Sequence, residues 1–208
     1  MNQEKYDSLL MASGGMDSTV LAYWLQNQGK KVLPLFIDYG QHFKDLEYAS
    51  LIKHIPLEYK NDIKIVNVKD IYSFSNSRMI IEPNLWKDEV SADDLYLPYR
   101  NLLFLSIAAS VAQTLNIKEV YSAFIDSNHA IEIDCSKDFF DNLGSLLKIY
   151  GPIDIKMPFR LLTKKEVAEI GLKLNVPIAE TFSCQASSVT HCGACPNCID
   201  RINALMQL

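Results

Sequence analysis

Read by the spacing of its apolar positions, the chain alternates short buried runs with helical segments. Asp7–Ala12 holds the run Ser8-Leu9-Leu10-Met11-Ala12 and then meets glycines, which predicts a buried strand. Ser18–Gln28 places Val20, Leu21, Trp24 and Leu25 at helical spacing, and Gly29 ends it. Lys31–Tyr39, rich in Val, Leu, Phe and Ile, predicts a second strand, Lys44–His54 a helix, and the alternating Ile63–Val68 a third strand. Lys69–Leu97 shows no clear period, and a connection that long inside a compact domain is either functional or disordered. Arg100–Leu115 predicts a strongly apolar, central helix whose surface would suit a core or a homodimer. Glu119–Phe124 predicts a strand and Lys137–Ile149 a helix. Thr163–Leu174 predicts a helix opened by a capping box, Thr163 with Glu166 three residues on. Strand and helix taking turns argue for an α/β fold, a parallel sheet covered on both faces. The expected division is a main domain over residues 1–181 and a small C-terminal segment over 182–208.

The bulk numbers narrow the class. The 208 residues are 49% hydrophobic and 22% charged, ordinary for a soluble globular chain. The net charge of −5 gives no overall basic footprint for nucleic acid, although a local patch is compatible with it. No run of eighteen apolar residues suggests a membrane span. The opening Met1-Asn2-Gln3-Glu4-Lys5 lacks the pattern of a signal peptide, so the cytoplasm is the expected compartment. In that compartment crowded cysteines point to metal. Cys184, Cys192, Cys195 and Cys198 form C-x7-C-x2-C-x2-C, with Gly193 allowing a tight knuckle and a helix starting after Pro196. Four thiolates suit a closed, structural Zn²⁺ site, favoured here over an iron–sulfur cluster, which also uses such runs. Cys135 stands apart and reads as a small core residue.

Ser13-Gly14-Gly15-Met16-Asp17-Ser18 falls between the first strand and the first helix, where open α/β sheets bind ligands. The glycines let backbone approach an anion, and the helix offers free N–H groups and the positive end of its dipole. Asp17 would repel a phosphate unless Mg²⁺ lay between them, so a metal-bound polyphosphate is the natural ligand. The loop has no Lys and is not a Walker A loop. A bare Gly-Gly turn with a Ser or Asp cap is the bland alternative. The full hexapeptide in this position weighs against it. It resembles the pyrophosphate loop of the N-type ATP pyrophosphatases, in which an acceptor oxygen attacks the α-phosphate of ATP to give an adenylate.

More of the chain carries a sharper resemblance. Asp38-Tyr39-Gly40-Gln41, Pro98-Tyr99-Arg100-Asn101, Asp134-Cys135 with Phe139, Thr163-Lys164 with Gly171, and Thr181-Phe182-Ser183-Cys184 before Cys192-Gly193, Cys195-Pro196, Cys198 and Arg201 follow in order. Together with the loop they resemble the 7-cyano-7-deazaguanine synthase (QueC) family. The resemblance implies a Rossmann-like, adenine-nucleotide alpha-hydrolase-like fold with a five-stranded twisted parallel sheet and a zinc-binding appendage. It also implies adenylation of 7-carboxy-7-deazaguanine by ATP, displacement of AMP by ammonia, and dehydration of the amide with a second ATP. On this reading Ala12, Ser13, Gly14, Gly15, Met16, Asp17, Ser18, Thr19, Asp38 and Gln41 serve ATP and Mg²⁺. Asp17, Ser18 and Arg100 act in catalysis, and Arg100, Asn101, Asn128 and Asp134 meet the substrate. Arg100 can hold a carboxylate or phosphate in bidentate fashion, or be a helix-start surface residue. Gln41 and Asp38 can each read a ligand edge or cap a turn.

The chain departs from the family pattern in one stretch. The family has Gly, Asp, Gly-Tyr-Pro and Arg where this chain has Ala123, Asn128, Ile131-Glu132-Ile133 and Ser136. After Gln41 it has His42-Phe43 where the family commonly has Arg-His. ATP activation is therefore better supported than nitrile formation. Two other readings remain open: a defence-associated relative that couples the activated deazaguanine to a protein amine, and a non-catalytic nucleotide-binding module. A tRNA-modifying role ranks lower, since the acidic chain has no added basic domain.

Overall fold

The structure is a computed structural model and describes residues 5–125 and 135–208. Five parallel strands form its centre: β1 (Ser8–Met11), β2 (Val32–Asp38), β3 (Lys64–Asn67), β4 (Glu119–Tyr121) and β5 (Asp154–Lys156). They lie in the order β3-β2-β1-β4-β5. Ser8 pairs with Val32 on one side and Glu119 on the other, which fixes the register of the three central strands. The helices are α1 (Met16–Asn27), α2 (Lys44–His54), α3 (Arg100–Thr114), α4 (Lys137–Tyr150), α5 (Lys164–Lys173) and α6 (Pro196–Met206).

Alternation along the strands sorts the core into two layers, because successive side chains leave a strand on opposite faces. Leu9, Leu33 and Leu35 pack with Ala108, Ala109 and Ala112 of α3. Leu10, Val32 and Phe36 pack with Val20, Leu21 and Leu25 of α1 and with Val167 and Ala168 of α5. By length and composition Asp93–Thr114 would pass for a membrane span. Its Leu105, Ala108, Ala109 and Ala112 are instead buried in the core, and α3 packs against β1 and β4.

The strands and helices expected from periodicity are present with ends shifted by at most three residues, and Lys44–His54 is matched at both ends. The strand at Glu119 is the shortest match: Ser122 to Phe124 continue beyond it as cavity wall. β5 has no counterpart in the pattern of apolar positions. It is three residues long and half-buried throughout, because it closes the edge of the sheet. The aperiodic Lys69–Leu97 forms short 3-10 turns at Lys69–Tyr72 and Asp93–Leu95. It is pinned where Met79, Leu95 and Leu97 are buried, while Phe74 and Trp86 face solvent.

Gly171 sits where α5 meets α1. A Cβ there would lie 2.7 Å from Cγ2 of Ile178 and 2.8 Å from Cγ2 of Val20. Gly171→Ala is expected to overpack this contact and destabilise the chain by about 1–3 kcal/mol, read as a lower midpoint in thermal or urea unfolding.

Candidate functional site

The strand order reverses at β1. The chain moves outward through β2 and β3, then returns to place β4 on β1's other side. Such a reversal leaves a crevice at the carboxyl ends of the strands, because the helices that follow β1 and β4 depart on opposite faces. A cavity of about 260 Å³ occupies that position. It is lined from β1 and its loop by Met11, Ala12, Ser13, Gly15, Met16, Asp17 and Ser18, and from α3 by Arg100, Asn101 and Phe104. Ser122, Ala123 and Phe124 form the side beyond β4, and Phe182 and Ser183 the floor. Flat aromatic walls beside a polar loop suit a planar heterocycle with an anionic arm.

The loop is built by its own hydroxyls. Ser13 and Ser18 Oγ atoms lie 3.1 Å apart, Gly15 N–H donates to Ser13 Oγ at 3.2 Å, and Thr19 Oγ1 donates to Gly15 O at 2.8 Å. Gly14 takes φ +82°, which a side chain would strain. Its carbonyl accepts from Ser50 Oγ on α2 at 2.7 Å, and Ser50 Oγ in turn accepts from Phe182 N–H at 3.0 Å. One buried hydroxyl thus joins the loop, α2 and the segment before the cysteines. Gly15 caps α1 with no side-chain hydrogen bond, so the helix start faces the crevice.

Asp17 stands at that helix start. Its Oδ2 accepts from Lys164 Nζ at 2.6 Å. Its Oδ1 is buried with no hydrogen-bond partner among the described residues. A buried carboxylate oxygen left unpaired is costly unless something fills the position. The donor chemistry fits Mg²⁺, a hard cation that takes a carboxylate oxygen and phosphate oxygens. Lys164 opens α5 and supplies the cation that the loop itself lacks. The Thr163-Lys164 motif was visible in the sequence, but its place beside Asp17 depends on packing across 147 residues. Thr163 holds α5 in place through the predicted capping box.

The other expected residues divide. Ala12, Ser13, Gly15, Met16, Asp17, Ser18, Gln41, Arg100 and Asn101 line the cavity. Gly14 and Thr19 lie behind it and shape the loop. Asp38 accepts from Gly40 N–H at 3.1 Å and lies 3.9 Å from Lys44 Nζ, which favours its turn-capping role. Gln41 is spent on protein: Oε1 accepts from Tyr39 N–H at 3.0 Å, and Nε2 donates to Ile37 O at 3.3 Å and to Glu47 at 3.0 Å. Asn101 Nδ2 lies 2.9 Å from Cys135 Sγ, and Arg100 Nη1 lies 3.0 Å from Met79 Sδ. Asn128, Ile131, Glu132, Ile133 and Asp134 lie outside the described residues. Ala123 is on the cavity wall, and Ser136 caps α4 by accepting from Phe139 N–H at 3.1 Å.

Sequence reasoning missed Glu47. It lies in the first turn of α2, where acids favour the helix dipole and so attract no notice. The fold turns it into the cavity, and burial lifts its carboxyl to about 7, against the pull of Gln41's hydrogen bond and Arg100's charge.

The four cysteines converge behind the floor. Their sulfurs all lie within 4.8 Å of one another, and Cys192 and Cys198 Sγ are 3.9 Å apart. A tetrahedral zinc with bonds near 2.3 Å spaces its sulfurs by about 3.8 Å, so the donor set fits one such ion. Gly193, at φ +74°, makes the knuckle that lets Ala194 and Cys195 N–H point at Cys192 Sγ, at 3.4 and 3.2 Å. Hydrogen bonds from Cys184 and then Cys198 hold the Cys195 thiol far below its ordinary value, toward the thiolate a metal requires. Arg201 of α6 is buried and ties that helix to residues 178–181, just before the floor. Nη1 donates to Thr181 Oγ1 at 2.8 Å, and Nη2 donates to Ile178 O at 2.6 Å and Ala179 O at 2.9 Å.

Comparison with known proteins agrees with this arrangement. Residues 7–208 match the family model described as queuosine biosynthesis protein QueC. A 7-cyano-7-deazaguanine synthase from Picrophilus torridus is 34% identical, covering 96% of this chain and 87% of the relative. One from Archaeoglobus fulgidus is 31% identical, covering 96% and 85%. A solved 4-thiouridine synthetase–RNA complex with bound ATP superposes with TM-score 0.53 at 14% identity, over 97% of this chain and 53% of that one. At that identity the likeness is one of fold.

Proposed function

The chain belongs to the QueC family, and from that premise we propose that it adenylates 7-carboxy-7-deazaguanine with ATP and, with ammonia, forms 7-cyano-7-deazaguanine. The observation that carries the reading is the pairing of Lys164 with Asp17 at the start of α1, facing a crevice with aromatic walls.

A carboxylate is a poor electrophile, so it must first gain a leaving group. The substrate carboxylate attacks the α-phosphate, and pyrophosphate departs. The chain's task is positioning and neutralising charge. Loop backbone, the Ser13 and Ser18 hydroxyls and Lys164 would hold the β- and γ-phosphates. Asp17 would hold the Mg²⁺ that comes with ATP and quiets the charge on the departing pyrophosphate. Arg100 would steer the carboxylate. Ammonia then displaces AMP, and a second ATP activates the amide oxygen, which departs bonded to phosphorus while the amide nitrogen gives up its two protons and the nitrile forms. Cys184, Cys192, Cys195 and Cys198 would hold zinc as a structural tie, with no open position for substrate. The cytoplasm, which keeps thiols reduced, is the compartment that suits this metal site.

Incubation with ATP, Mg²⁺ and 7-carboxy-7-deazaguanine should release pyrophosphate, with the nitrile formed when ammonium is supplied. A product in which a protein amine replaces ammonia would redirect the second half-reaction alone. Asp17→Asn is expected to lower pyrophosphate release by about 10²-fold or more. The fold should be retained, since asparagine keeps the shape of the side chain and an oxygen for Lys164 to reach. No pyrophosphate from folded, metal-loaded wild-type protein would overturn the reading.

A further inference from the structure

One carboxylate in the cavity has no work in the scheme above. Glu47 shares the cavity with Ser13, Arg100 and Phe124. Gln41 Nε2 donates to its Oε2 at 3.0 Å, and that amide cannot rotate away, because Tyr39 N–H and Ile37 O hold its two ends. The charged and titratable groups facing it are Arg100 from α3 and Tyr39 from the end of β2. Glu47 is thus an aimed acid in a site that must use an amine.

We propose that Glu47 takes the proton from the ammonium ion entering the site, so that neutral ammonia attacks the acyl adenylate. The inference rests on the adenylation reading. Ammonium gives one proton to the Glu47 carboxylate, leaving ammonia and a carboxylic acid. The nitrogen lone pair forms the new C–N bond at the adenylate carbonyl. The bond from that carbon to the phosphate oxygen breaks, and AMP leaves with the electron pair. The proton shed by the new amide nitrogen passes to the phosphate of AMP. At neutral pH ammonium far outweighs ammonia, so a site that binds the cation and deprotonates it gains substrate. A carboxyl lifted to about 7 by burial is matched to that transfer, where an ordinary glutamate would be too weak a base.

Glu47→Gln keeps the side chain's shape and an oxygen for Gln41 to reach. At pH 7 its amide formation from ammonium should fall about 10²-fold. Hydroxylamine reaches the site neutral and traps the acyl adenylate as a hydroxamate, and that reaction should stay within a few-fold of wild type. Per total ammonium, the wild-type rate should rise as pH climbs to about 7 and then level, since the base is active when deprotonated. The variant should keep rising in proportion to free ammonia. A variant slowed equally with both amines, or with neither, overturns the inference alone. A wild-type chain that forms no hydroxamate from ATP and the carboxy-deazaguanine overturns the adenylation reading and this inference with it.

Discussion

Gly14→Ala should abolish pyrophosphate release and lower stability by about 3–5 kcal/mol, a large part of a typical domain's total. Two costs add. The backbone at φ +82° disfavours any L side chain, by about 1–2 kcal/mol. The new Cβ would also lie 2.2 Å from the carbonyl oxygen of Glu47 and 2.7 Å from the amide nitrogen of Leu51. Both are main-chain atoms of α2, so relief requires moving the helix or the loop. The Ser50 hydroxyl resists that movement, because it binds Gly14 O and Phe182 N–H together. Gly29→Ala is the control. Gly29 has a similar φ of +71° with no atom within 4 Å of the added Cβ, so it should show the strain alone and retain activity. Urea unfolding beside the pyrophosphate assay separates the cases. A Gly14→Ala chain with wild-type midpoint and rate would sink the account.

Cys195→Ser, or stripping the metal with a chelator, is the second large effect expected. Structural zinc in small peptides contributes about 10–16 kcal/mol of apparent binding free energy, so its loss outweighs any single packing change. Here the cluster adjoins the floor of the cavity. Cys184 follows Ser183, whose Oγ lies 3.5 Å from Met16 N at the start of α1, and Cys184, Cys195 and Cys198 belong to the buried core beside Phe182. The expected result is about one equivalent of zinc per chain in wild type, none in the variant, and a fall in thermal midpoint and ATP turnover together. Elemental analysis beside thermal unfolding checks it. Unchanged stability in a metal-free variant would make the cluster four packed thiols.

The strands β1 and β2 were legible because they are buried on both faces. Ser8–Met11 and Val32–Asp38 read as apolar runs whichever way a side chain points. The β5 edge strand offered three half-buried residues and too little contrast to register. The anion loop and the thiol cluster were legible because their chemistry is local in sequence. Lys164 and Glu47 were not, because each gains meaning from neighbours far along the chain or from burial that only the fold imposes. Gln41 was readable as a ligand-edge amide or a turn cap, and its 3% exposure with bonds to Tyr39 N–H and Ile37 O favours the second role, a choice that needed the fold.

The clamp made by Arg201 has a consequence for biosynthesis. The phosphate loop is synthesised well before α6, yet the wall behind it is fastened by a guanidinium in the middle of that helix. A nascent chain therefore cannot mature its nucleotide crevice piecemeal. Competence for ATP then comes after translation has passed α6.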